Sequence, residues 1–366
     1  MSATQLHVLD TDLRMQEGSL TRPTLAYETW GRLNEARDNA VLIFTGLSPS
    51  AHAASSPRDR RTGWWEDMLG PGKPIDSNRL FVVCVNSLGS CFGSTGPASV
   101  NPDTGEPYRL TFPVLHVEDI ANAGAAVLDH LGIEQLHTVL GASMGGMTAL
   151  AFTLQHPARA RRLVSISSAA RSLPFSIAIR SLQREIIRRD PAWHGGNYPV
   201  DQPPATGMRL ARKLGMITYR SAEEWAERFG RERAANTGAV NGDPFGLDFE
   251  VESYLEAHAQ KFVGSFDANC YLYLSRAMDL FDVADHGGSL AEGFSRVNLE
   301  RAMVIGVESD FLFPIEQQEE LALGLRDRVG ELSFHRLASI QGHDSFLVDM
   351  DRFRPVVARF FDAGRP

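Results

Sequence analysis

Apolar positions along this 366-residue chain fall into two alternating patterns. Short, nearly unbroken apolar runs occupy residues 25–30 (LAYETW), 39–46 (NAVLIFTG), 79–86 (RLFVVCVN) and 137–141 (HTVLG). Three more follow at 162–168 (RLVSISS), 301–308 (RAMVIGVE) and 331–338 (ELSFHRLA). Most lack polar alternation, which is the pattern of strands covered on both faces. Between them, residues 117–131 carry apolar side chains at helical spacing and stop at Gly132, a C-terminal glycine signal. Residues 144–155 follow the 137–141 run directly and end before Pro157. Strand–helix alternation of this kind predicts an α/β fold with a mostly parallel sheet and helices on both faces.

The alternation breaks between residues 172 and 295. The chain there is helical and charged, with RSLQREIIRRD, TGMRLARKLGMI, SAEEWAERFG and VESYLEAHAQKF. We expect an inserted helical cap over residues 172–295, with the core built from residues 1–171 and 296–366.

Composition narrows the function. A formal charge of −9 argues against a nucleic-acid partner, because such proteins gather Lys and Arg on one face. No run approaches the roughly 18 apolar residues of a membrane span. The polar start of the chain has no apolar core like that of a signal peptide. Three cysteines, Cys84, Cys91 and Cys270, form no disulfide framework and read as thiols of a reducing compartment. A cytoplasmic enzyme is the expectation.

The chemistry centres on Gly141-Ala142-Ser143-Met144-Gly145, a G-x-S-x-G motif between a predicted strand and a predicted helix. A serine on so sharp a turn needs small neighbours on both sides. The turn lifts Oγ above the sheet, close to helix N–H groups that can stabilise an oxyanion. An acid and then a histidine should follow, each after a later strand. Asp310 follows the run at 301–308, and His343 follows the run at 331–338. His130, His156 and His335 sit in helical or strand settings and compete poorly. The oxyanion donors expected are the N–H of Met144 and of Leu47, the latter in the Gly46-Leu47-Ser48-Pro49-Ser50 loop.

These motifs resemble the homoserine and serine O-acyltransferases of the α/β-hydrolase fold. The likeness extends through LAYETWGRLN (25–34), NSLGSCFGSTGPASVNPDTGEPY (86–108), GASMGGM (141–147), FDANCYLYLSRAMDLFD (266–282), SDFLFP (309–314) and GHDSFL (342–347). The resemblance implies ping-pong acyl transfer from an acyl-CoA co-substrate to an amino-acid hydroxyl, with no permanently bound cofactor and no metal. It implies that Arg212 grips the acceptor carboxylate and Asp344 its ammonium. The Ser48-Pro49-Ser50 loop resembles members that use L-serine and succinyl-CoA, where homoserine acetyltransferases differ. Arg180, Arg184 and Arg188 share one helical face, and Arg180 with Ser181 are the residues expected to recognise the acyl chain. The resemblance also implies a homodimer built through the cap. Two other functions remain open: acetyl or succinyl transfer to L-homoserine, and ester hydrolysis by the same triad.

Overall fold

The computed structural model describes residues 2–235 and 242–362. Eight strands form one sheet: β1 (Gln5–Val8), β2 (Thr24–Trp30), β3 (Ala40–Phe44), β4 (Phe81–Val85), β5 (Thr138–Ala142), β6 (Arg162–Ile166), β7 (Leu299–Val307) and β8 (Val329–Leu337). Their spatial order is β1-β2-β4-β3-β5-β6-β7-β8. From β4 onward every neighbouring pair is parallel, and β2 runs antiparallel to both β1 and β4. All seven apolar runs read from the sequence are strands of this sheet. The short edge strand β1 lies in the polar N-terminal stretch, where periodicity over four residues is too brief to read.

β3 and β5 are buried at every position. Their two faces feed two separate cores. Leu42, Phe44 and Val139 pack with α1 (Val117–His130) and α2 (Met144–Gln155). Val41, Ile43 and Leu140 pack on the opposite face with Trp65, Phe353 and Phe360. This double cover explains why the runs lack alternation. Helix α1 begins where the Asp119 carboxylate accepts the His116 N–H at 2.9 Å, and it ends before Gly132, at φ +65°.

The chain leaves the sheet after β6 and runs through α3 (Pro174–Arg189), α4 (Ala205–Tyr219), α5 (Ala222–Phe229), α6 (Glu250–Phe262) and α7 (Ala268–Leu280). Its exit and return lie side by side: Arg171 bridges to Asp282, and Val283 N–H donates to Ala170 O at 2.9 Å. The short α8 (Leu290–Phe294) then leads to β7, and α9 (Ile315–Leu325), α10 (Ser345–Val348) and α11 (Met350–Asp362) complete the order. The architecture is the α/β-hydrolase fold with an inserted helical region. Among the described residues, no helix is long and apolar enough to cross a membrane.

Candidate active site

The C-terminal edge of a parallel sheet is where side chains from several strands can converge. β3 ends beside Leu47, β5 runs into Ser143, β7 is followed by Asp310, and β8 leads to His343.

Ser143 holds φ 56° and ψ −124°, a backbone state that costs an L-residue about 1–3 kcal/mol. The surrounding glycines permit it by close approach. A Cβ on Gly141 would lie 2.1 Å from the Gly145 carbonyl carbon. One on Gly145 would lie 2.2 Å from Phe44 O. The Ser143 N–H is secured to Ile166 O at 2.9 Å. The strain is thus held by β3, β5 and β6 together.

His343 Nε2 lies 2.8 Å from Ser143 Oγ, and His343 Nδ1 lies 2.7 Å from Asp310 Oδ2. The other Asp310 oxygen accepts the N–H groups of Leu312 and Phe313 at 3.0 and 2.9 Å. That fixes which oxygen faces the imidazole. Phe313 stacks on the His343 ring with centroids 5.1 Å apart. Burial, the largest single influence, pulls the His343 pKa down. The charge and hydrogen bond of Asp310, with a further contribution from Asp344, outweigh it and raise the pKa above the ordinary histidine value. The set forms a hydroxyl–imidazole–carboxylate relay suited to making Ser143 a nucleophile.

The N–H groups of Leu47 and Met144 donate no hydrogen bond among the described residues; Leu47 lines the same cavity as Ser143, and Met144 follows Ser143 in the chain. Met144 is the first residue of α2, so its amide also carries the favourable end of the helix dipole. The Leu47 loop is pinned from behind. His52 Nδ1 meets buried Glu28 at 2.9 Å, its Nε2 meets Arg61 O at 2.9 Å, and Trp64 Nε1 donates to Ser50 O at 3.0 Å.

The cavity over Ser143 is lined on the core side by Leu47, Ser48, Pro49 and Trp64, and on the cap side by Arg180, Arg212, Tyr219 and Tyr271. Asp344 lines the same cavity. The Arg212 guanidinium lies over the Phe262 ring at 4.6 Å and has no hydrogen-bond or ion-pair partner among the described residues. Asp344 lies 3.5 Å from Arg220 Nε. Burial raises its pKa, against the opposing charges of His343, Arg220 and Arg212. A cation without a carboxylate and a carboxylate only loosely paired thus share one cavity with the serine. That is the polarity an amino-acid zwitterion requires.

Two residues expected at this site stand elsewhere. Ser181 is exposed and lies in a separate groove with Arg188 and Trp193, because one step along α3 turns a side chain about 100° from Arg180. Ser50 does not line the cavity; its Oγ folds back to accept the His52 N–H at 3.2 Å. Arg180, Arg184 and Arg188 share a face as expected, but their burial falls steeply. Arg180 is 5 % exposed, Arg184 is half-buried and Arg188 is exposed over Trp193. Sequence reasoning missed Tyr219 and Tyr271 in the cavity wall. It also missed Asp279, which is buried between Arg180 and Arg184. Their helical periodicity was visible, but their partners lie on other helices.

Comparison with known proteins agrees with this fold. The sequence profile of the alpha/beta hydrolase fold family matches residues 39–348. A serine O-succinyltransferase of Litchfieldella anticariensis is 58% identical over 344 residues, 94% of each chain. The crystal structure of a homoserine O-acetyltransferase from Bacillus anthracis superposes with a TM-score of 0.90 at 27% identity, covering 98% of this chain and 97% of that one. The crystal structure of esterase E22 superposes with a TM-score of 0.88 at 27% identity, covering 98% and 99%.

Proposed function

The chain belongs to the α/β-hydrolase-fold family of homoserine and serine O-acyltransferases, and from that premise we propose how it works as a serine O-succinyltransferase. The observation that carries the substrate assignment is the 58% identity, across 94% of both chains, to a serine O-succinyltransferase. The enzyme moves a succinyl group from succinyl-CoA to the hydroxyl of L-serine. The product is an activated serine for amino-acid biosynthesis, on the route to cysteine.

In the first half-reaction Ser143 Oγ attacks the thioester carbonyl while His343 Nε2 takes its proton. Asp310 holds the imidazole by Nδ1 and stabilises the imidazolium. The N–H groups of Leu47 and Met144 receive the developing oxyanion. Collapse expels the CoA sulfur, which leaves with the proton from His343. The succinyl-Ser143 ester remains. In the second half-reaction L-serine enters with its carboxylate on Arg212 and its ammonium on Asp344. His343 removes the proton of the serine hydroxyl, which attacks the ester; collapse expels Ser143 Oγ, which takes that proton back from His343. Arg212 and Asp344 favour transfer over hydrolysis by placing the hydroxyl where water would otherwise react. Ser48 and Pro49 narrow the acceptor end, which suits serine over an acceptor one methylene longer. Arg180 is the cation that meets the terminal carboxylate of the succinyl chain.

An acyl-CoA donor and free thiols at Cys84, Cys91 and Cys270 fit a cytoplasmic setting. The exposed apolar residues Phe175 and Leu182 on α3, with Leu210 and Ile217 on α4, support a homodimer formed through the cap.

The test is kcat/KM for the four pairings of succinyl-CoA or acetyl-CoA with L-serine or L-homoserine, alongside hydrolysis without acceptor. The succinyl–serine pair is expected to be the most efficient. A higher value with homoserine, or hydrolysis faster than transfer, sinks the assignment.

A further inference from the structure

Arg180 does not stand alone in the cap. Its Nε donates to Asp279 Oδ1 at 2.6 Å, and its Nη2 donates to Ser172 Oγ at 2.6 Å. Its third nitrogen, Nη1, is buried and has no hydrogen-bond partner among the described residues. Arg184, one turn further along α3, forms an ion pair with the second Asp279 oxygen at 2.6 Å, outside hydrogen-bond geometry, and donates to Ser275 Oγ at 3.0 Å. The Asp279 side chain is 1 % exposed, that of Arg180 6 % and that of Arg184 13 %. Tyr271, Ser275 and Asp279 fall at successive fourth positions of α7, so one face of α7 meets one face of α3.

The charge count is uneven. Two guanidinium groups share one carboxylate, which leaves one positive charge over in a largely dry setting. Burying charge without compensation is costly, and the orphaned nitrogen adds a desolvation cost of its own. Burial, the largest influence, lowers the Arg180 pKa against the opposing pull of Asp279. An arrangement of this kind is completed by an anion arriving at the cavity that Arg180 lines with Ser143, Ile179, Met278 and Leu312. The last three offer an apolar wall to a methylene chain. Tyr271 lines the same cavity.

We propose that Asp279 is a positioning residue for donor choice: by holding Arg180 and Arg184 together, it keeps Nη1 of Arg180 unpaired for the distal carboxylate of a dicarboxylic acyl donor. This rests on the succinyl-transfer reading above and assigns to a residue that touches no substrate the task of setting selectivity. Without Arg184, the pair of Arg180 and Asp279 would be neutral. It is the sharing with Arg184 that leaves a charge for the donor. Arg184 is therefore part of the device although it does not line the cavity.

The experiment measures kcat/KM for succinyl-CoA and acetyl-CoA with serine, using the full chain in wild-type, Asp279→Asn, Asp279→Glu, Arg184→Gln and Arg180→Met forms. Acylation of Ser143 by p-nitrophenyl acetate, an ester without a carboxylate, reports an intact relay. Asp279→Asn is expected to lower kcat/KM for succinyl-CoA by about 10–100-fold, chiefly through KM, while acetyl-CoA and p-nitrophenyl acetate change by less than about threefold. Asp279→Glu should restore part of the succinyl preference, and Arg184→Gln should shift it in the same direction as Asp279→Asn but less. In the Arg180→Met background, Asp279→Asn should add no further loss of preference. A succinyl preference left intact in Asp279→Asn overturns the inference alone, as does an equal loss with all three acyl donors in a folded variant. Should Asp279→Asn not fold, Arg184→Gln decides by the same ratio. A wild-type enzyme that shows no succinyl preference removes the substrate reading itself, which is a separate and recognisable failure.

Discussion

His343 shows how a single side chain is tuned by its neighbours. Burial disfavours the imidazolium, but the Asp310 carboxylate at 2.7 Å and the nearby Asp344 favour it more strongly, so the pKa lies above 6.5. A general base works only when neutral. The acid limb of kcat/KM is therefore expected to have its midpoint above pH 6.5, as read from a pH–rate profile with succinyl-CoA and serine. Asp310→Asn should move that midpoint down while lowering the rate. A wild-type midpoint at or below that of free histidine contradicts the tuning described. The same shift has a thermodynamic sign. A folded pKa raised above the unfolded value stabilises the protein fully below pH 6.5, and the stabilisation is lost as pH rises through the folded pKa. The protonation state that reacts is thus the one that contributes less to stability.

At the scale of elements, the site depends on loops that touch across the boundary between sheet and cap. Gly342 has φ +67°, and a Cβ there would lie 2.7 Å from Ser221 N and 2.8 Å from the Arg220 carbonyl carbon. Ser221 Oγ in turn donates to Ile340 O. The turn that presents His343 is therefore clamped against the junction of α4 and α5. Gly342→Ala is expected to cost about 1–3 kcal/mol by overpacking and strain, and to lower kcat more than its effect on KM. Thermal melts and steady-state kinetics check both; an unchanged kcat shows that the clamp does not position His343. The elbow glycines obey the same logic, since Gly145 abuts the Phe44 carbonyl on a neighbouring strand. Helices α3 and α7 add a third case, in which Arg180 is held by a carboxylate nearly a hundred residues later in the chain.

At the scale of the whole molecule, the sheet and the helical insertion divide the chemistry. The sheet edge supplies Ser143, Asp310, His343 and the amides of Leu47 and Met144. The insertion supplies the charges of Arg180 and Arg212. In the proposed mechanism acyl transfer requires both, because a relay without a built acceptor site passes its acyl group to water. The insertion also carries the exposed Leu182 and Leu210. The proposed homodimer is expected to appear in sedimentation at twice the mass of the chain, and Leu182→Glu with Leu210→Glu should shift it toward monomer. A wild-type monomer at micromolar concentration removes the cap interface from the proposal.

Seven of the eight strands of the main sheet, the chain order of Ser143, Asp310 and His343 that the fold brings together, and the presence of an inserted helical region were legible in the sequence alone. Each is a local signal: apolar period, a glycine-bracketed turn, or chain order imposed by a parallel sheet. Ser181 and Ser50 mark where such reasoning ends. Sequence neighbours of the right residues, they point elsewhere, because a helix turns about 100° per residue and a serine in a loop readily bonds its own backbone. Asp279 marks the converse. It has no motif, and its importance comes only from lying between two arginines on another helix. Periodicity says which face of an element is buried. Which charge meets which across two buried faces is decided by packing, where long-range Coulomb and desolvation energies act between residues that the linear chain keeps far apart.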